Sequence, residues 1–229
     1  KKCLAFISFS LLLCVLVACS SNGTDTPESD GDVNESSTEA QESEESANNN
    51  EGSELIVAYS AQPPSLDPQI NQVIATSDIM RHVFEALLTV DEDYNIQPML
   101  AESYEQSEDG KTITFYLREG VLFHNGEEMK ADDVAASMNR WKQSLGSRGQ
   151  FTEANFEATD DYTVVMSLPE PLSTTLTALA YGGNGFAAIM PKEINEAAGA
   201  DGVHEYIGTG PFQFEEWKQD QYVHLKKFD

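Results

Sequence analysis

From Thr112 to Leu117 apolar and polar positions alternate, with Ile113, Phe115 and Leu117 on one side and Thr112, Thr114 and Tyr116 on the other. A period of two is that of a strand with one buried face. Asp109-Gly110 before it and Asn125-Gly126 after it are turn dipeptides that accept a positive φ. The period then changes. Over "KADDVAASMNRW" Val134, Met138 and Trp141 recur at intervals of four and three, which predicts an amphipathic helix. Asp132 and Asp133 lie in its first turn, where carboxylates suit the helix dipole. Upstream, "ELIVAYSA" (54–61) is a strand candidate, stopped by Pro63-Pro64 and Asp67-Pro68. Ser77 to Val90 reads as a helix, with Ile79, Val83, Phe84, Leu87 and Leu88 at helical spacing and Ser77 or Asp78 as its cap. Downstream, Asp160–Leu168 is strand-like. "LSTTLTALAYGGNGFAAIMPKEI" carries a helix pattern into the glycine cluster at 182–185, and "YIGTGPFQFEEWKQDQYVHLKKF" gives a glycine turn and two strand candidates. Runs of both kinds alternate without a repeat, so the expected fold class is mixed α/β.

The first 53 residues carry none of these patterns. A basic start at Lys1-Lys2, an apolar run from about Leu4 to Val17 and a small-residue exit make residues 1–18 a secretory signal, too short for a spanning helix. The exit, Leu16-Val17-Ala18-Cys19, resembles the lipobox of bacterial lipoproteins, which makes Cys19 the expected lipidation site. Residues 19–53 then form an acidic, low-complexity stretch without lysine or arginine. It buries too little to offset its ordering entropy and is expected to be a disordered tether, with a root-mean-square span of about 30 Å.

Composition narrows the chemistry. With a formal net charge of −26, a nucleic-acid partner is not expected, because the phosphate backbone would be repelled. Of the three cysteines, Cys3 and Cys14 leave with the leader and Cys19 takes the lipid. No thiol then remains for a disulfide, a metal cage or nucleophilic catalysis. There is no Gly-x-Ser-x-Gly elbow, and the cluster at Gly182–Gly185 lacks the Lys-Ser or Lys-Thr of a phosphate loop. His82, His124, His204 and His224 are far apart and read as scaffold residues. No catalytic residue, metal site or cofactor is expected, and an exported hydrolase is the weakest of the functional readings.

"AESYEQSEDGKTITFYLREGVLFHNGEEMKADDV" (101–134) resembles the signature region of the bacterial extracellular solute-binding proteins of family 5, the peptide and nickel receptors of ABC importers. "SLDP" (65–68), "VFEAL" (83–87), "ATDDYTVVMSLPEP" (158–171) and "IGTGPFQFEEW" (207–217) agree in order. Tyr104, Asn125 and Lys130 stand where the family more often has tryptophan, aspartate and a helix-capping threonine. The resemblance implies a periplasmic-binding-protein-like class II clamp of two lobes with a small inserted domain, of which these residues supply only the amino-terminal part. Residues 54–92 and 173–229 would belong to lobe one and 93–172 to the inserted domain, with the second lobe absent. It further implies a monomeric receptor with a peptide or similar small solute as ligand, an ABC permease as partner, and a lipid anchor on the extracytoplasmic face of the membrane. A nickel chelate, glutathione or another small solute is an alternative ligand, and a surface peptide sensor an alternative role. Lobe-one loops at 71–76 and 181–186 would line the cleft, making Tyr59, Asn71, Thr76, Tyr181, Asn184 and Phe186 the expected ligand contacts.

Overall fold

In the computed structural model, which describes residues 54–71, 73–143, 149–180 and 185–229, the alternating segment is the centre of a sheet. Strand β4 (Thr112–Leu117) pairs antiparallel with β3 (Ala101–Gln106) on one side and β6 (Thr163–Ser167) on the other, and β5 (Asn155–Asp160) completes the order β3-β4-β6-β5. Phe115 is opposite Tyr104 in β3 and Val164 in β6. Ile113, Phe115 and Leu117 are buried together with Phe156, Val164 and Met166 from the neighbouring strands. The turn after β4 has Gly126 at φ 85°, a left-handed conformation that glycine adopts without a Cβ clash. The Asn125 side chain accepts from the Glu127 N–H at 3.0 Å.

Helix α2 (Ala131–Trp141) packs against β5 and β6, burying Val134, Met138 and Trp141 as its periodicity predicts. Lysine at its N-cap is a donor only and makes no cap hydrogen bond. Asp133 compensates: its Oδ2 accepts from the Lys130 N–H and its Oδ1 from the Lys192 N–H, each at 2.8 Å. One first-turn carboxylate therefore closes the start of α2 and fixes it to the start of helix α4 (Lys192–Ala197). Burial pushes the Asp133 carboxyl up from its ordinary value, against these two donors.

Two expectations fail. Residues 54–61 form no strand: Leu55, Ile56 and Val57 are 86, 82 and 61 % exposed, and no described segment pairs with them. Nor is 77–90 one helix. Helix α1 runs Ile74–Met80 with no side-chain cap, and Leu88–Val90 is strand β1, antiparallel to β2 (Ile96–Pro98). Between them the carbonyls of His82, Val83, Glu85 and Ala86 accept from the N–H groups of Phe212, Gly210, Ile189 and Leu100. Those are long-range partners that a helix would have denied them. Val83, Phe84, Leu87 and Leu88 are buried all the same, so their spacing does not distinguish a helix from this path.

Helix α3 (Thr175–Ala180) follows the expected pattern, but Tyr181, Gly182, Gly183 and Asn184 lie outside the described residues, as do residues 1–53, where the leader, the lipidated Cys19 and the tether are expected. The final segment is a hairpin, β7 (Phe212–Lys218) with β8 (Tyr222–Lys227). Two buried clusters result. The larger joins the four-stranded sheet, α2, Leu87, Leu88, Leu179 and Ile189; the smaller joins Leu66, Met80, Val83, Phe84, Phe186, Ala188, Met190 and Val203, with the hairpin's Phe214, Trp217, Val223 and Leu225 against it. Among the described residues no helix is long and apolar enough to cross a membrane.

Candidate functional site

The segment Ser65–Gln69 carries a buried polar network. Asp67 is fully buried and forms an ion pair with Arg140 at the end of α2. Its two carboxylate oxygens also accept from the N–H groups of Gln69 and Val203, both at 2.9 Å. Arg140 Nη1 donates to Gln69 Oε1 at 2.9 Å, and Gln69 Nε2 donates to the Ala188 carbonyl at 2.8 Å. Ser137, one helical turn before Trp141, donates to the Met190 carbonyl and accepts from the Met190 N–H, both at 3.0 Å. Trp141 Nε1 donates to the Gly185 carbonyl. Asp67, Gln69, Ser137, Arg140 and Trp141 thus join α2 to the chain on either side of it. A buried charge that is paired and hydrogen-bonded is tolerated, whereas one without partners would be costly.

A second junction lies at Ile207–Pro211. Gly208 passes so close to the backbone that an added Cβ would lie 2.1 Å from the Val83 carbonyl oxygen. The Gly210 N–H donates to that same carbonyl at 2.9 Å. Thr209 donates its hydroxyl to Glu85 Oε2 at 2.8 Å. Burial pushes the Glu85 carboxyl up, and the Thr209 hydrogen bond and the Arg118 charge only partly oppose this. His124, in the turn after β4, touches the same loop from the other side with both ring nitrogens.

The expected contact residues are not gathered into one cluster. Tyr59 is 45 % exposed. Asn71 turns inward, its amide donating to the Asp67 carbonyl at 2.8 Å and its oxygen accepting from the Val73 N–H at 3.1 Å. Thr76 is fully buried and donates to the Ser65 carbonyl at 2.7 Å. Phe186 belongs to the smaller apolar cluster. Tyr181 and Asn184 lie outside the described residues. Asn71 and Thr76 therefore shape the loop that carries them.

A cavity of about 570 Å³ opens between Gln69, Asn139, Arg140, Gln143 and Asn195. Its polar wall is largely self-satisfied: Arg140 is held by Asp67 and Gln69, and Asn139 exchanges two hydrogen bonds with the Phe156 backbone. Among the described residues no group of three or more His, Cys, Asp or Glu could hold a metal ion.

Sequence reasoning missed Gln69, Ser137 and Arg140, whose partners lie far along the chain. The one available signal is Asp67, an acidic residue between Leu66 and Pro68, where apolar neighbours require a buried partner for it.

The profile of the family described as "Bacterial extracellular solute-binding proteins, family 5 Middle" matches residues 95–229, more than half of the chain. Among curated proteins, the glutathione-binding protein GsiB of Escherichia coli O1:K1 is 30 % identical over 179 residues, covering 76 % of this chain and 34 % of GsiB. The periplasmic binding protein AgaA from Agrobacterium tumefaciens R10, solved with agropinic acid, superposes with a TM-score of 0.66 at 28 % identity, covering 73 % of this chain and 34 % of AgaA. The oligopeptide-binding protein AppA of Bacillus subtilis, solved with a nonapeptide, gives 0.63 at 28 % identity, covering 74 % and 35 %. The chain spans about a third of the length of the curated relatives it matches. Its mixed sheet-and-helix architecture is that of part of a periplasmic-binding-protein fold, and the chain belongs to the bacterial extracellular solute-binding proteins of family 5.

Proposed function

We propose that this chain contributes the first lobe and a smaller inserted domain to a lipid-anchored solute receptor of an ABC importer, with peptides as ligands. The observation that carries the reading is the family match over 95–229 together with the likeness to an oligopeptide-binding protein solved with its peptide. Residues 54–92 and 173–229 are assigned to the lobe and 93–172 to the inserted domain. Leu55, Ile56 and Val57 await cover from the part of such a receptor that lies beyond the matched third. Tyr59, Tyr181 and Asn184 are the proposed ligand contacts, while Asn71 and Thr76 shape their own loop and Phe186 packs in the smaller cluster. Capture between two lobes, hinge closure and docking of the closed form on a permease need no covalent step. Residues 1–18 act as the leader, Cys19 carries lipid and 19–53 is the tether on the extracytoplasmic face.

The decisive experiment is a thermal-shift panel on the protein from the complete reading frame, with oligopeptides, glutathione and a nickel–histidine chelate as probes. A ligand at about a hundred times its Kd adds about 2.7 kcal/mol of stability. A rise in Tm with oligopeptides supports the reading. A rise with glutathione alone supports the second reading, which the 30 % identity to a glutathione-binding protein favours. No shift with any probe removes both. Peptide uptake that depends on the permease separates import from sensing. For the anchor, Cys19→Ala is expected to release the protein from membranes to the soluble fraction, and retention would refute lipidation at this residue.

A further inference from the structure

His124 is held at four points. Its N–H donates to the Gly208 carbonyl at 2.9 Å, its Nδ1 accepts from the Gly208 N–H at 3.3 Å, and its Nε2 lies 2.9 Å from the Gly210 carbonyl. The Phe228 ring meets the imidazole edge to face at 4.8 Å. On its far side the same loop is pinned: the Gly210 and Phe212 N–H groups donate to the Val83 and His82 carbonyls, and Gly208 has no room to move toward Val83. The partners fix the tautomer. An acceptor is required at Nδ1 and a donor at Nε2, so the ring must be neutral with its proton on Nε2. An imidazolium would aim an Nδ1–H at the Gly208 N–H, two donors facing each other.

We propose that His124 is an acid-loosened latch: protonation at Nδ1 breaks the Gly208 N–H contact and loosens the 207–211 loop against the turn after β4, while the His124 backbone N–H and Nε2 keep their bonds to the Gly208 and Gly210 carbonyls. Groups on the surrounding elements do not compensate the added charge. Glu127 in the same turn accepts from Asn125, Glu85 behind the loop accepts from Thr209, and Lys227 and Asp229 beside Phe228 pair with each other. Arg118 at the end of β4 donates to the Met99 carbonyl, and His82 meets Phe212 edge to face. Among the described residues the histidine with a carboxylate beside it is His224, whose Nδ1 lies 2.6 Å from Glu215 Oε2. Burial accordingly pushes the His124 imidazole below its ordinary value of 6.5, with the Gly210 hydrogen bond opposing. The sign follows: the latch is fully closed above the unfolded-state value and loosens as pH falls through the lower folded-state value.

The test is an NMR titration of the isotope-labelled 229-residue chain from about pH 8 to about pH 5. It reads the His124 ring nitrogens and amide exchange at Gly208. The expected result is the Nε2–H tautomer at the alkaline end, a midpoint below 6.5, and a Gly208 protection factor that falls at least about tenfold through the transition. Phe115 in the central strand should keep its protection throughout. His124→Gln, which keeps a donor for Gly210 and cannot titrate, should show flat Gly208 protection over the same range. Should that variant not fold, the wild-type titration still decides. A midpoint at or above 6.5, or Gly208 protection that stays constant while His124 titrates, overturns the latch.

Discussion

The two buried clusters of this chain are built by opposite means. The larger closes mainly through neighbours in sequence: β3 with β4 and β5 with β6 are joined by short connections, and α2 lies on β5 and β6. The smaller is assembled from pieces near residues 66, 84, 188 and 203, stitched by backbone-to-side-chain hydrogen bonds across gaps of 119 and 136 residues. Neither cluster takes in Leu55, Ile56, Val57 or Ile74, which are in solvent. The difference teaches where order in such a chain is self-contained and where it depends on residues far away. A sheet-and-helix unit satisfies its own backbone, while a cluster built from separated segments holds only if every seam is made.

The largest effect is expected from cutting a seam. Arg140→Ala leaves the Asp67 carboxylate buried without its cation, and should cost about 3–5 kcal/mol in urea unfolding. A cost under about 1 kcal/mol would mean that the Gln69 and Val203 N–H groups hold Asp67 unaided. Next comes Gly208→Ala, whose methyl would strike the Val83 carbonyl, at about 3 kcal/mol. Hydrogen exchange should locate that loss in 82–87 and 207–228, with β4 and α2 still protected. Equal loss in both regions would show that the two clusters unfold as one unit and dissolve the contrast.

A smaller effect sharpens the picture by pH. Glu85 has a raised folded-state value through burial, so charging it weakens the fold as pH climbs through that value, and stability is greatest below the unfolded-state value. Glu85→Gln keeps an acceptor for Thr209 and should raise Tm near pH 8 by up to about 3 °C, with no gain near pH 4. Glu128 runs the other way. Hydrogen bonds from Lys130, Tyr162 and the Gly120 N–H hold its carboxyl at about 2, so its contribution is full above 4.5 and disappears as pH falls toward 2. The smallest effect is Ile56→Lys, at less than about 0.5 kcal/mol in this chain, because the side chain is 82 % exposed. A larger cost would reveal a packing partner for this segment.

The sequence by itself determined the elements whose partners are local. The alternation over 112–117, the four-and-three spacing of Val134, Met138 and Trp141, the Asn125-Gly126 turn and the two final strands were all legible. Each is fixed by side-chain periodicity or by a backbone angle that its own residues prefer. β3 and β5, with mostly exposed polar positions, left little periodic trace. Tertiary structure alone decided the stretch from Ser77 to Val90. Its apolar spacing fits a helix, yet Phe212, Gly210, Ile189 and Leu100 claim the carbonyls that a helix would need. It also decided that Thr76 and Phe186 face inward and that Asp67 meets Arg140. A hydrogen bond between residues far apart in sequence leaves no period to read, and the geometry of the folded chain is what assigns the partner.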